Sequence, residues 1–205
     1  MTAKTALPAK PGRSEQRRQQ VLDAAAACFQ RAGFRGASMA DISEGAGMST
    51  GHIYHYFKSK EAIVEAIVER DQKRGLDIIE ELKNTDDVLA AMIDKAGQAV
   101  DNVTRANDPA LTLEIFAEAA RNPVVGEIVK DCAGKIGRNL QEALEIGQKQ
   151  GTLLAEADPE ALSVLLHALF SGLTVRAALE PDFDREPVLR VLRLLFERFL
   201  RPGAG

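Results

Sequence analysis

Three times along this chain a helix-capping residue stands directly before a proline, at Asp108-Pro109, Asn122-Pro123 and Asp158-Pro159. An Asp or Asn side chain accepts from the free N–H groups of a first helical turn. Proline suits the first helical position, where its missing N–H would have had no partner. Each pair therefore predicts a helix start, and apolar residues recur at helical spacing after each one. The expected spans are 109–121, 123–150 and 158–179, with further helices over 86–105 and 186–201. Gly151 and the stretch "PDFDREP" close two of them. Alanine and leucine are abundant, β-branched runs are short and aromatics make up 5% of the chain. All of this favours helix over strand, so the chain reads as all-α.

The first eighty residues are punctuated differently. Residues 1–13 hold Pro8, Pro11 and Gly12 with little apolar content, and read as a flexible basic tail. From Ser14, the positions Val21, Leu22, Ala25, Cys28, Phe29 and Ala32 lie on one helical face, and Gly33 ends that helix. "SMAD" starts a second helix as a capping box, with Ser38 at the cap and Asp41 three residues on. Ser49 caps a third helix over about 49–56. Ser59 caps a fourth, which runs to about residue 82. Three short helices and one long one result, with only a few residues between the second and third. The expected divisions are the tail 1–13, a helical unit 14–60 and a second unit 61–205.

Both tyrosines of the chain and two of its three histidines fall within "GMSTGHIYHYFKSK", residues 47–60. On a helical wheel Ile53 and Phe57 share the side that must face a core. Gly51 and His55 lie nearly opposite, His52 and Tyr54 flank them, and Tyr56 sits at the edge. A solvated helix face normally carries Lys and Glu; this one carries rings and hydrogen-bonding groups. Such a face suits an α-helix in the DNA major groove. Gly51 admits close backbone approach. The tyrosine hydroxyls and the imidazoles can reach phosphates or base edges. Ser38, Ser49 and Thr50 stand at helix N-termini, which attract anions, and Lys60 suits the phosphate backbone. Plainer readings exist beside these. Tyr54 can be a packing residue, Lys58 a solvated charge, and the Ser38 box a structural cap. His52 and His55 lack a third metal ligand, so no metal is expected.

Charge agrees with an anionic partner for the front end. The net charge is −4, but residues 1–60 hold nine basic against four acidic residues, and the remainder is strongly acidic. The N-terminus lacks an apolar core of signal-peptide length, and no apolar run approaches the roughly 18 residues needed to span a bilayer. Cys28 and Cys132 form no redox or metal spacing and read as reduced core residues of a cytoplasmic protein.

"GFRGASMADISEGAGMSTGHIYHYFKSKEAIVEAIV" resembles the DNA-binding domain of TetR-family transcriptional regulators across about residues 14–70. Ser38, Ile42, Ala46, Gly47, Ser49, Tyr54, Phe57, Lys60 and Glu61 match the family pattern. Ser43, Met48 and Met39 depart from the usual alanine, valine and threonine. "LEIFAEAARNPVVGEIV" and "IGQKQGTL" are similar to the C-terminal domain of the BetI-like branch. The resemblance implies a helix-turn-helix domain joined by a long helix to a C-terminal ligand-binding and dimerisation bundle. It also implies a homodimer that binds a palindromic operator on double-stranded DNA. Such a regulator is usually a repressor released by a small-molecule effector.

The second half gives independent grounds for a dimer. The helix at 158–179 is apolar almost all round, as is that at 186–201, and such helices must be buried all round. Pairing two copies through Leu162, Leu166, Leu169, Leu173, Val188, Leu192, Leu195 and Phe199 would cover them in a two-fold four-helix interface. His167 and Arg176 interrupt this apolar surface. A ligand pocket including His167 would explain both, as would a satisfied core histidine or Arg176 at the dimer rim; Phe116 and Phe170 could line such a pocket, with core packing as the plainer role for each. The stripe Glu114, Glu118 and Arg121 reads as a solvated face. No cofactor is expected. No nucleophile–base pair, metal constellation or phosphate loop points to an enzyme. An architectural DNA-binding or activator protein without a ligand switch is the remaining alternative.

Overall fold

The computed structural model describes residues 12–203, and among them every regular element is helical. Of the expected tail, residues 1–11 lie outside the described residues. The chain forms two compact units that divide between Ile63 and Val64.

The first unit contains α1 (Arg13–Gly36), α2 (Met39–Gly45), α3 (Thr50–Tyr56) and the start of α4 (Lys60–Lys83). Gly33 breaks α1 with a φ of 70°, a left-handed conformation that glycine adopts without steric cost. Val21, Leu22, Ala25, Cys28 and Phe29 are buried on the face that the spacing defines. Ile42, Ile53 and Phe57 are buried as well, so α2 and α3 each commit one face inward. The Ser38 capping box is formed in full: its Oγ accepts from the Asp41 N–H at 3.1 Å, and its own N–H donates to Asp41 Oδ2 at 2.8 Å.

The second unit holds the rest of α4 together with α5 (Val88–Asp101), α6 (Pro109–Ala119), α7 (Pro123–Lys149), α8 (Pro159–Leu179) and α9 (Arg185–Phe199). All three capping Asp or Asn residues before proline accept backbone N–H bonds at their helix starts. Val88, Met92, Val100, Leu144, Leu153 and Phe196 lie in one hydrophobic core. The segment expected as one helix over 86–105 differs. Its α-helical hydrogen bonding ends at Asp101, and a π-turn spans Asn102–Ala106. Periodicity alone does not reveal a one-residue slip in hydrogen-bond register.

Three further expectations are corrected here. Glu118 is not on a solvated face: it is 2% exposed and accepts from Arg121 Nε at 2.6 Å. Its carbonyl also accepts from the Arg121 and Asn122 N–H groups at 3.0 and 2.8 Å, so the residue is held in the tight α6–α7 turn. Leu166 and Leu192 belong to the core of a single chain rather than to an outer interface. Finally, α8 is long and apolar enough to cross a membrane by length and composition. Ser, Thr, Gly and His break up its apolar runs without adding charge, which hides this in a search for continuous apolar residues.

Candidate nucleic-acid interface and effector cavity

Sequence sets the geometry of the turn before α3 through small polar residues. Ser43, buried at the end of α2, donates from Oγ to the Met48 carbonyl at 2.6 Å and accepts from Thr50 Oγ1 at 3.2 Å. Gln20 on α1 donates to the Ala46 carbonyl at 2.7 Å. Ser43 was legible in the sequence only as a departure from the family pattern. Its hydroxyl is the brace that an alanine would lack.

α3 presents Gly51, His52, Tyr54 and His55 to solvent, while Ile53 is fully buried. Tyr54 is 43% exposed, so its ring is available for contact. Tyr56 is half-buried, and the rings of His52 and His55 each approach it at 5.4 Å between centroids. Ser49 caps the helix by accepting from the His52 N–H at 3.3 Å. A Cβ on Gly51 would meet nothing within 4 Å. The glycine is not required by the protein's own packing.

Three residues expected at the DNA also make bonds within the protein, and of these Ser38 and Thr50 remain exposed. The Lys60 ammonium donates to the carbonyls of Phe34 and Ala37, just after the Gly33 break. The Thr50 hydroxyl donates to Ser43. The Ser38 hydroxyl donates to Asp41 Oδ2 at 2.6 Å, and these bonds hold the exposed Asp41 carboxyl below the usual carboxylate range. Lys58, in turn, reaches back to the Tyr54 carbonyl at 3.0 Å.

The second unit encloses a cavity of about 260 Å³. Phe116, His167 and Phe170 line it together, with Phe116 40% exposed. Residues that the sequence did not single out complete it, including Asp71 and Gly75 of α4 and Asn102 and Asn107 at the two ends of the π-turn. Burial pulls the His167 imidazole down from its ordinary value, favouring the neutral form. Desolvation raises the Asp71 carboxyl, opposed by Arg70, whose Nε lies 3.0 Å from Asp71 Oδ1.

The outer surfaces of α8 and α9 are apolar. Leu165 and Leu179 of α8 are 67% and 73% exposed; Val191 and Phe199 of α9 are 55% and 67% exposed. Of the residues expected at an interface, Leu169, Leu195 and Phe199 lie on these exposed faces. Leu162, Leu173 and Val188 are partly buried, the first two against the core. Spacing gives a helix that is apolar all round, but cannot say which side its own subunit covers.

A three-helix unit with a tight turn, a short helix bearing outward rings, and a separate helical bundle with a cavity define a helix-turn-helix regulator of transcription. Residues 21–67 match bacterial regulatory proteins of the tetR family, and residues 84–201 match the C-terminal domain of BetI-type transcriptional repressors. The chain belongs to this family and is a DNA-binding transcriptional repressor. It is 31% identical to the HTH-type transcriptional regulator UidR of Escherichia coli K12 over 173 residues, covering 82% of this chain and 85% of UidR. CymR of Pseudomonas putida is 26% identical over 92% of this chain and 94% of its own length. Among solved structures, Salmonella enterica GusR superposes with a TM-score of 0.77 at 29% identity, over 92% of this chain and 97% of GusR. Regulators of this family bind DNA, act as dimers and bind small-molecule ligands.

Proposed function

We propose that this repressor reads a pseudo-palindromic operator with α3, the face formed by Gly51, His52, Tyr54 and His55, aided by Tyr56 and the Ser49 cap. The observation that carries this is the exposure of those groups opposite buried Ile53. Aromatic and imidazole side chains on an open helix face offer hydrogen-bonding groups to phosphates and base edges in a groove. Two copies pair through the exposed apolar faces of α8 and α9. Two-fold symmetry then calls for half-sites about one helical turn, roughly 34–36 Å, apart.

The cavity of the second unit holds the effector. α4 connects it to the reading head covalently: Lys60 fastens the start of this helix, and Asp71 and Gly75 further along it line the cavity. An effector that favours one packing of the bundle shifts α4 and thereby the spacing of the paired recognition helices. It acts only through its differential affinity for the two states.

The test is selection of bound sequences from a random DNA pool at near-physiological salt. A pseudo-palindrome is expected, with binding lost in the Tyr54→Ala, His55→Ala double variant. A flat pool would favour an architectural DNA-binding protein instead.

A further inference from the structure

Two buried side-chain oxygens among the described residues lack any hydrogen-bond partner, Asn102 Oδ1 and Asn107 Oδ1. Both residues line the same cavity. They stand at the two ends of the π-turn, which the Asn107 N–H closes by donating to the Asn102 carbonyl at 3.0 Å. The turn is anchored away from the cavity. Thr104 donates to the Val100 carbonyl at 2.7 Å and accepts from Arg185 Nε at 3.0 Å, and Arg74 donates to the Ala106 carbonyl at 2.8 Å. Asn102 is 9% exposed, and a Cβ on Gly75 would meet its Nδ2 at 3.7 Å. π-turns interrupting helices often mark functional positions, and a buried acceptor without a partner costs free energy until something donates to it.

The charged groups of the wall are already matched. Asp71 is paired with Arg70, and Lys95 with Glu81. Ile136, Leu140, Phe116 and Phe170 contribute apolar surface. A charged ligand would be desolvated there against groups that already have counter-ions. The unpartnered polar atoms of the wall, Asn102 Oδ1 and Asn107 Oδ1, are both acceptors.

Resting on the reading of this cavity as the effector site, we propose that it takes an uncharged, largely apolar molecule carrying a hydroxyl that donates to Asn102 Oδ1 or Asn107 Oδ1. At these two oxygens a quaternary ammonium would offer no donor, and a carboxylate would set acceptor against acceptor.

The experiment is titration calorimetry of the full-length dimer at pH 7 with three probes on one ring system: 2-naphthol, 2-methoxynaphthalene and 2-naphthoate. The expected result is saturable binding of the naphthol, with the ether and the carboxylate each about tenfold weaker or more, as loss of a hydrogen bond to a buried acceptor requires. In Asn102→Leu and Asn107→Leu variants the preference for naphthol over ether should fall, while the ether still binds. An ether that binds the unaltered protein as well as the naphthol would overturn the proposal, because the acceptors would then be satisfied by water. Binding of none of the three, or tightest binding of the naphthoate, would overturn it too. Operator affinity is measured separately with and without naphthol. The predicted preference without a change in DNA binding would leave the ligand chemistry standing and remove the cavity's regulatory role.

Discussion

The Lys60 ammonium donates to the Phe34 carbonyl at 2.6 Å and lies 4.5 Å from the centre of the Phe34 ring. One side chain thus satisfies a carbonyl near the Gly33 break and sits over an aromatic face. The lysine at the start of α4 therefore ties the end of α1 in place.

This fixes what a Lys60→Met substitution should do. A lost charged donor to two partly buried carbonyls should cost about 1–3 kcal/mol of stability in the reading head. The slope of log affinity against log salt should stay unchanged while the protein is folded, since no phosphate contact is removed. A slope reduced by about one would show that Lys60 contacts phosphate after all.

Gly51 separates DNA contact from folding cleanly. Open space around its Cβ position means that Gly51→Ala should leave the fold intact or stabilise α3 by up to about 1 kcal/mol. Gly51→Leu should fold equally well and bind operator at least about tenfold more weakly, because the added side chain occupies the approach to the groove. Thermal unfolding and operator titration of the same samples check both statements.

The apolar helices divide by residue. Leu165→Glu and Phe199→Glu place charges on exposed apolar faces and should give monomers in sedimentation equilibrium. Leu166→Ala and Leu192→Ala open cavities in the core of one subunit. They should lower stability by about 2–5 kcal/mol and leave the folded protein dimeric. Dimers persisting in both glutamate variants would place the interface elsewhere.

His167 sets a pH dependence with a definite sign. Its folded-state pKa is depressed by burial, so the unfolded chain binds a proton first as pH falls through the ordinary value near about 6.5. The stability associated with the neutral imidazole is present above that value and is lost progressively below it, down to the folded-state pKa. Wild type should lose more stability between pH 7.5 and 5.5 than His167→Gln, measured by urea denaturation at one protein concentration. Equal losses would show that the imidazole is solvated in the folded protein.

Local chemistry carried much of this architecture into the sequence. Asp or Asn before proline marks a helix start because the capping groups are neighbours in the chain. The inward Ile53 and outward His55 follow from helical periodicity, which is again local. Charge and ring composition of residues 47–60 pointed to DNA for the same reason. Tertiary structure decided everything that depends on distant partners. It turned Lys60 onto Phe34, drew Thr50 to Ser43 and buried Glu118 beside Arg121. It chose Leu165 over Leu166 as the exposed side of α8. It also brought Asn102 and Asn107 to one cavity with His167, through a π-turn whose register no periodicity encodes. A side chain's type and helical phase are fixed by sequence, but which carbonyl, ring or void lies opposite is fixed only when the helices pack.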